Sequence, residues 1–403
     1  HYLYGSRANH TGNTVYNLTD PETVALDVAG NDGSVSIGRA FYGIWDTGGT
    51  DSINYGGANH ALINLNRATL TSSDPAHITA WMGDVTGTSL YGGLSQELKD
   101  DISDASFHAG GFFSRVFYNS GAAALGGYSI ANGLYADAAH NAAAIIENAS
   151  GGNQSDLIIG NEHANALYGN GGNDVIHGSA GGDTIYGGTG TDQMFGGTGN
   201  DTFVIQNGWD GGAGEAINGG ADSDSLDLTS LSSAVIVDLS AGTFKGGGGA
   251  NSISLVSVEN VFGTNQADSL VGSNDANTLK GAGGADTING GSGDDLLYGG
   301  DGDDTINDGA GGDGTNGEGG NDRIVMGDAS INGDTYYGGT GTDTFDASAF
   351  TWATAVSIDL TAKTWSYSAG SEVVDEFENI EGANAQPGIV ETLRGNELTN
   401  VIN

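Results

Sequence analysis

Residues 151–204 read GGNQSDLII GNEHANALY GNGGNDVIH GSAGGDTIY GGTGTDQMF GGTGNDTFV, which is six consecutive units of nine residues. The pattern common to these units is GGxGxDxUx, in which U is a large apolar residue. The U positions of these units are Ile158, Leu167, Ile176, Ile185, Met194 and Phe203. A nine-residue period kept in register over the whole stretch indicates a solenoid of stacked repeats rather than an ordinary globular core.

A second array begins at Gly263 and reads GTNQADSLV GSNDANTLK GAGGADTIN GGSGDDLLY GGDGDDTIN DGAGGDGTN GEGGNDRIV. Isolated copies of the unit occur at residues 219–227, 338–346 and 395–403. A single copy could arise by chance, but two long arrays in register could not. The repeat therefore determines the architecture in both halves of the chain.

Each unit divides into a strand and a turn. Three residues centred on U, such as Thr184-Ile185-Tyr186, suit a very short strand with U inward and its neighbours outward. The six residues before them must reverse the chain, and glycine tolerates the positive φ angles that this requires. One aspartate per unit then falls at the same corner of every turn. Calcium favours six to eight hard oxygen ligands, so the corners are predicted to bind several Ca²⁺ ions.

The composition supports a role for cations and excludes other partners. The chain carries 51 Asp and Glu against 10 Lys and Arg, a formal net charge of −41, and 73 of its 403 residues are glycine. Stacked carboxylates repel one another until a divalent cation lies between them, so we expect metal binding and folding to be one event. The regular apolar positions argue against a disordered chain. Nucleic acid is not an expected partner, because phosphate binding requires a basic surface.

Other features of the sequence limit its class. It contains no cysteine, so disulfides cannot stabilise it. No apolar run reaches the roughly 18–20 residues of a membrane span, and there is no basic-then-apolar leader. The sequence stops in the middle of a repeat at residue 403, and we therefore expect it to be part of a longer polypeptide.

The arrays belong to a longer module. IENASGGNQSDL at Ile146, VENVFGTNQADSL at Val258 and FENIEGANAQPGIVETL at Phe377 align, and the glycines at their shared position lie 112 and 119 residues apart. We interpret the chain as about two and a half copies of this module. The predicted segments are residues 1–70 (start of the first module), 71–140 (an insertion), 141–215 (first repeat array), 216–262 (connector of the second module), 263–337 (second repeat array) and 338–403 (a truncated third module).

The first module resembles a known family. HYLYG, HTGNTVYN, IWDTGGTDSINYGG, INLN and IIENASGG occur here in the order found in the C-terminal calcium-binding region of serralysins, secreted bacterial zinc metalloproteases. Residues 2–204 resemble that region apart from the insertion, and the repeats resemble the repeats-in-toxin (RTX) β-roll family. The resemblance implies an all-β fold of right-handed parallel β-roll segments with two units per coil, joined by short strand-rich connectors. It also implies type I secretion to an extracellular or cell-surface location.

The resemblance further implies a calcium site that joins the first loop to the roll. Its implied ligands are backbone oxygens of His10, Gly12 and Thr14 together with Asp46, Gly48, Gly49 and Asp51, and Glu147 matches another calcium ligand of the family. In the first array the predicted ligands are Gly151, Asp156, Gly169, Gly171, Asp174, Gly178, Asp183, Gly187, Gly188, Gly190, Asp192, Gly196, Gly197, Gly199 and Asp201, followed by Asp224. In the second array they are Asp268, Gly281, Gly283, Asp286, Gly290, Gly291, Gly293, Asp295, Gly299, Gly300, Gly302, Asp304, Asp313 and Asp322, followed by Asp343.

Some corner positions depart from the pattern. Asn165, Asn277 and Asn400 stand where aspartate is expected, and an amide offers an oxygen without charge. We expect weak or absent calcium sites at these three positions. Asp294 and Asp303 precede corner aspartates and are expected to be solvated surface acids.

The sequence contains no catalytic motif. The zinc-protease motif HExxH, a GxSxG nucleophile elbow and an EF-hand loop are all absent, so no catalytic residue is predicted. Whether the parent protein is an enzyme stays open, with a zinc metalloprotease as the option that the resemblance suggests. In the insertion, Leu94, Leu98 and Ile102 predict a short amphipathic helix. The Gly- and Ala-rich stretch after it suits either a docking surface or a loop packed on the roll.

Two functions follow from these observations. The first is a non-catalytic, calcium-dependent folding and stabilising region of a secreted serralysin-like bacterial protein, with calcium ions as its partners. The second is the repetitive shaft of a surface-layer, filament or adhesin protein, in which other copies of the chain or the cell surface are the partners.

Overall fold

The computed structural model describes part of the chain. The described residues are 13, 15–18, 35–37, 41–44, 50–56, 60–65, 115–117, 127–130, 146–209, 214–246, 252–327, 333–347, 351–352, 356–359, 363–367, 370–375, 377, 379–381, 384–385 and 391–394. The chain divides into two compact units, His1–Asp224 and Ser225–Asn403. This boundary lies inside the segment 216–262 that the sequence assigns to a connector.

The first unit consists of short strands in its described part. They are β1 (Val15–Leu18), β2 (Val35–Ile37), β3 (Phe41–Ile44), β4 (Ser52–Tyr55), β5 (His60–Asn64), β6 (Arg115–Phe117), β7 (Gly127–Ile130), β8 (Asn148–Ser150), β9 (Leu157–Ile159), β10 (Ala166–Gly171), β11 (Val175–Ala180), β12 (Thr184–Thr189), β13 (Gln193–Thr198), β14 (Thr202–Val204) and β15 (Ala216–Ala221).

The second unit is built in the same way where it is described. Its strands are β16 (Ser225–Asp227), β17 (Val235–Asp238), β18 (Thr243–Gly246), β19 (Ile253–Val256), β20 (Asn260–Phe262), β21 (Ser269–Val271), β22 (Thr278–Gly283), β23 (Thr287–Asn289), β24 (Leu296–Asp301), β25 (Thr305–Asn307), β26 (Gly314–Gly319), β27 (Arg323–Val325), β28 (Thr335–Tyr337), β29 (Thr344–Asp346), β30 (Thr351–Trp352), β31 (Val356–Asp359), β32 (Thr364–Tyr367), β33 (Gly370–Asp375), β34 (Asn379–Glu381), β35 (Asn384–Ala385) and β36 (Glu391–Arg394).

Alternate strands of the first unit form two parallel stacks. One stack runs β4, β8, β10, β12, β14, and the other runs β5, β9, β11, β13, β15. Leu167 pairs with Ile185, and Ile176 pairs with Met194, so paired residues lie 18 positions apart. Each coil therefore contains two nine-residue units, which confirms the coil expected from the family resemblance.

The second unit repeats this arrangement. One parallel stack runs β16, β20, β22, β24, β26, β28, β33, and the other runs β17, β21, β23, β25, β27, β29, β34. Antiparallel strands lie beside the stacks: β18 pairs with β17 and β19, and β32 pairs with β31 and β33. The expected all-β fold of parallel β-roll segments is thus confirmed for both units.

The core is a column of U side chains. In the first array, Leu167, Ile185 and Phe203 are completely buried, as the inward orientation of U predicts. Leu157 and Ile159 flank a U position and are buried as well, so the first coil buries more apolar surface than strict alternation predicts. This burial is the main favourable term in the stability of the stack.

No helix occurs among the described residues, so none there could cross a membrane. The predicted helix around Leu94, Leu98 and Ile102 lies outside them, as does the Gly- and Ala-rich stretch except for β6 and β7. Strand β6 pairs antiparallel with β5, and β7 pairs parallel with β3. These two strands of the insertion region therefore add to the sheets of the first unit.

The U position of one second-array unit is polar. Thr315 is 1% exposed, and its hydroxyl has no hydrogen-bond partner. A buried hydroxyl without a partner costs stability, because its hydrogen bonds to water are lost on folding. We expect Thr315→Val to raise the free energy of unfolding by about 1 kcal/mol, measured by urea denaturation.

Leu297→Ala serves as the comparison for this prediction. It removes a fully buried U side chain and should lower the free energy of unfolding by about 2–5 kcal/mol. A Thr315→Val protein that is less stable than the parent would show that the hydroxyl is satisfied in solution.

Candidate metal centres in the turns

Each roll carries two columns of corner side chains, where the chain passes from one stack to the other. In the first unit the columns are Asp156, Asp174, Asp192 and Asn165, Asp183, Asp201, Asp224. In the second unit they are Asp268, Asp286, Asp304, Asp322, Asp343 and Asn277, Asp295, Asp313, Asp334. Every one of these side chains is at most 4% exposed. The nine-residue period thus places a buried polar group at each corner of each coil.

One oxygen of each corner carboxylate is bonded to the neighbouring coil. The backbone N–H of Asp174 donates to Oδ1 of Asp192 at 2.9 Å, and that of Asp183 donates to Oδ1 of Asp201 at 2.7 Å. The same bond recurs along the columns of the second unit, for example from Asp295 to Asp313 at 2.8 Å. These bonds fix the position of each carboxylate relative to the next coil.

The other carboxylate oxygen is different. It is buried and accepts no hydrogen bond in a set of seven corner residues: Asp174, Asp183, Asp201, Asp286, Asp295, Asp304 and Asp322. A buried ionised oxygen without a partner is strongly destabilising, because burial removes its solvation and nothing replaces it. These oxygens therefore require either a proton or a cation.

A backbone carbonyl of the next coil approaches each of these oxygens; it belongs to a glycine in six cases and to Asp308 beside Asp295. A Cβ atom on Gly169 would collide with both Oδ2 of Asp174 and the carbonyl oxygen of Gly187, which belongs to the next coil. Position 169 must therefore be glycine, because two oxygens from different coils converge on the space that a side chain would fill. The unit that begins with Asp308 is the exception at this position. Such a cradle offers hard oxygen donors from two coils to one cation.

The fourth position of the unit is constrained by its backbone. Gly190 has a φ of 126°, in the left-handed region that favours glycine. A Cβ at this position would also collide with the carbonyl oxygen of Gly172 in the preceding coil. Close stacking of successive turns thus depends on a residue without a side chain.

Burial raises the pKa of the corner carboxyls. The pKa of Asp174 is raised to about 9, that of Asp183 to about 8, and those of Asp201 and Asp304 to about 7. Loss of solvation is the largest cause, and repulsion from the carboxylate of Asp192 adds to it at Asp174, while hydrogen bonds from the backbone lower the pKa in part. Without a cation, the folded roll therefore keeps the carboxyl groups of Asp174 and Asp183 protonated at neutral pH.

The donors at each corner fit calcium. They are one carboxylate and glycine carbonyls, which are hard oxygen ligands of the kind that Ca²⁺ prefers. Within the described ranges, no group of three or more His, Asp or Glu side chains lies close enough together to hold a metal ion. The carbonyl oxygens of the turns are therefore as much part of the candidate site as the aspartates.

The structure places the predicted glycines in two environments. Those at the first position lie against the corner carboxylate of their own turn: Gly151, Gly169, Gly178, Gly187, Gly196, Gly281, Gly290 and Gly299. Those at later positions pack against the backbone of the neighbouring coil: Gly171, Gly188, Gly190, Gly197, Gly199, Gly283, Gly291, Gly293, Gly300 and Gly302.

The predicted site of the first loop is described only in part. His10, Gly12, Thr14, Asp46, Gly48 and Gly49 lie outside the described residues, as does Asn400. Asp51 is buried, and its backbone N–H donates to Oε2 of Glu147 at 2.7 Å. These two predicted ligands therefore lie together, next to the coil that contains Asn165.

Asp294 and Asp303 are exposed, as expected of surface acids. Each nevertheless accepts a backbone N–H from the next coil, from Gly312 at 2.9 Å and from Asn321 at 2.8 Å. They therefore help to hold neighbouring coils in register at the surface.

Two corner residues lie outside the nine-residue pattern and are therefore not among the ligands predicted from the sequence. Asp334 accepts the backbone N–H of Asp313 at 2.9 Å, although the two lie 21 residues apart because the coil contains three extra residues. Glu215 is buried in a coil with five extra residues, and its carboxylate accepts the indole N–H of Trp209 at 2.7 Å. Counting back two residues from the buried U side chains, Tyr336 and Ile217, would have found both.

Comparison with protein families gives one match. The model of the RTX calcium-binding nonapeptide repeat matches four times, at residues 146–176, 168–203, 262–297 and 290–324. These ranges cover the two arrays and the segments that lead into them. No curated protein matches the chain.

The need for glycine at the fourth position can be tested by comparing two substitutions. Gly190→Ala should lower the thermal midpoint strongly, because it adds both a strained φ and a collision with the neighbouring coil. Gly208 has a φ of 102° but no atom within 4 Å of its Cβ position, so Gly208→Ala should cost only the backbone strain, about 1–2 kcal/mol. Equal effects of the two substitutions would contradict close stacking of the turns.

The stability of the metal-free roll should fall as the pH rises. Asp174 and Asp183 bind a proton more tightly in the folded roll than at their ordinary pKa of 3.8, so protonation stabilises the folded state. That stabilisation is complete below pH 3.8 and is lost as the pH rises through about 8 and 9, the raised pKa values of the two groups. In chelator, the urea midpoint followed by circular dichroism should therefore be higher at pH 5 than at pH 8.

The same measurement in saturating calcium is the control. Calcium requires ionised carboxylates, so its stabilising effect should grow between pH 5 and pH 8. A metal-free chain that is as stable at pH 8 as at pH 5 would show that the corner carboxyls are not buried as described.

Proposed function

Because its two arrays are RTX calcium-binding nonapeptide repeats, we propose that this chain is a calcium-dependent folding region of a secreted bacterial protein. It carries no catalytic function of its own. Its arrays remain open where calcium is scarce and form rolls where calcium is abundant. The seven buried carboxylate oxygens without a hydrogen bond are the observation that supports this proposal.

The energetic basis is charge compensation at the corners. Bound calcium supplies positive charge and room for six to eight oxygen ligands. At Gly169, Gly178, Gly281 and Gly299 the missing side chain leaves space for a cation, while the corner aspartate and the carbonyl of the next coil face that space. With the corners compensated, the buried U side chains contribute their full stabilisation to the stack. Without compensation, repulsion along each column opposes that stabilisation.

This dependence suits a protein that is exported before it folds. Cytosolic calcium is too low to occupy sites of the extracellular class, whose dissociation constants are roughly 10⁻⁴–10⁻³ M. The chain would therefore pass through a type I secretion channel unfolded and fold outside the cell. The serralysin-like motifs of the first module support a serralysin-like parent protein.

A second candidate is the shaft of a surface-layer, filament or adhesin protein. It is favoured by one observation: both units carry a roll that begins with the same kind of segment, at Asn148 and at Asn260. A solenoid lengthens by adding copies of one module. Ordered lattices or fibres seen by electron microscopy after calcium addition would support this function, and a monomer of constant size would count against it.

The principal test is a calcium titration followed by circular dichroism. The chain should gain β structure cooperatively as calcium is added, and Asp183→Asn should raise the midpoint concentration several-fold because one corner loses its charge. Asp275→Asn is the matched control: it also removes one negative charge, but from an exposed position, and it should leave the midpoint unchanged. Full β structure in excess chelator above pH 9, where the corner carboxyls are ionised, would refute the proposal.

A further inference from the structure

The turns of the two arrays fall into two groups. The first two turns of each array, residues 151–165 and 263–277, contain no residue with positive φ. In each later turn the second and fourth positions both have positive φ, as in Asn170 (73°) with Gly172 (114°) and Ala282 (78°) with Gly284 (113°). In both arrays the change from turns without positive φ to turns with positive φ occurs at the third unit. It is therefore a feature of how each array begins and does not depend on one local sequence.

The first turn of each array is closed by its own aspartate. The backbone N–H of Gly152 donates to Oδ2 of Asp156 at 2.6 Å, and that of Thr264 donates to Oδ2 of Asp268 at 2.6 Å. Oδ1 of Asp268 also accepts the backbone N–H of Val235 at 2.8 Å. Both oxygens of these carboxylates thus have donors, whereas Oδ2 of Asp174, Asp183, Asp201, Asp286, Asp295, Asp304 and Asp322 accepts no hydrogen bond.

The second turn is closed by asparagine. Oδ1 of Asn277 accepts the backbone N–H of Ser273 at 2.6 Å, and its amide nitrogen donates to the carbonyl of Glu259 in the preceding coil at 2.8 Å. The amide group thus links this turn to the preceding coil, a link that in later turns is made by a backbone N–H donating to Oδ1 of the aspartate. The side-chain oxygen of Asn277, which takes the place of the aspartate Oδ2, already has a backbone donor.

The first array reaches the same result with two asparagines. Oδ1 of Asn165 accepts the backbone N–H of Asn161 at 2.8 Å. The amide nitrogen of Asn161 donates in turn to the carbonyl of Ile146 at 2.7 Å. A neutral amide therefore links this turn to the coil before it.

We propose that the first two turns of each array bind no calcium and form a metal-independent cap on the roll. This inference rests on the proposed calcium function and specifies which turns carry it. Backbone donors occupy the side-chain oxygens of these turns that in later turns are left for the ion. Calcium binding begins at the third turn, with Asp174 in the first array and Asp286 in the second. Asp156 and Asp268, which the sequence pattern predicts as ligands, are then structural.

The fourth position of the unit distinguishes the two groups in the sequence. In the first two turns it is occupied by Gln154, His163, Gln266 and Asp275. In the later turns it is glycine in every unit of both arrays, because each of these turns stacks on the backbone of the coil before it. A fourth-position glycine therefore marks a calcium-binding turn.

The direct test is anomalous diffraction from crystals of the unaltered chain grown in calcium. Peaks are expected beside Asp174, Asp183, Asp286 and Asp295, and none beside Asn165 or Asn277. A peak whose ligands include Oδ2 of Asp156 or Asp268, or the side chain of Asn165 or Asn277, would overturn the inference while leaving the calcium function intact. If no turn carries a peak, the proposed function itself fails.

A pair of substitutions gives an independent solution test. Asp268 and Asp304 occupy the same column of the second unit, so Asp268→Asn and Asp304→Asn make the same chemical change in a closed and an open turn. By calorimetric titration, Asp304→Asn should bind one calcium ion fewer than the parent chain, and Asp268→Asn should bind the same number. Loss of an ion in Asp268→Asn would overturn the inference. The crystals of the unaltered chain decide the question if this variant does not fold.

Discussion

The interaction on which this molecule depends is the one between stacked buried carboxylates. Most coils bring an aspartate to each corner, and at seven of these corners the backbone of the neighbouring coil bonds one carboxylate oxygen while the other accepts no hydrogen bond. The second oxygen faces a carbonyl of the next coil and cannot be left both ionised and unpartnered. The stack is therefore stable only when protons or cations neutralise its corners.

Other features of the rolls follow from this constraint. Glycine at the first position leaves the space in which two oxygens converge, and glycine at the fourth position lets one turn lie on the backbone of the previous turn. The strands of the arrays are only three or six residues long, because each unit must also reverse the chain within nine residues. What remains for the hydrophobic core is a single U side chain per unit, so a roll needs many coils to be stable.

The first coils of the rolls differ from the later coils in how their polar corner groups are satisfied. At the first coils the polar corners are satisfied by hydrogen bonds within the chain, from Gly152 and Thr264 to aspartates and from the amide of Asn277 to a carbonyl. The same unit length and the same buried U column are kept. The first coil of a roll thus has the same geometry as the proposed metal-binding coils, but hydrogen bonds within the chain satisfy its polar corner groups.

The sequence by itself determined the unit, the two arrays, the buried U positions and the acidic corners, because a nine-residue period relates each residue directly to its place in the coil. It also indicated that Asn165 and Asn277 differ from the aspartates around them. It did not identify Glu215 or Asp334 as corner residues, since extra residues in their coils break the period. Only the tertiary structure decided which carboxylate oxygens have hydrogen-bond donors, because those donors come from residues 18 or more positions away as well as from the turn itself. Asp156 and Asp174 have the same place in the motif, but the fold gives both oxygens of Asp156 a donor and leaves one oxygen of Asp174 without any.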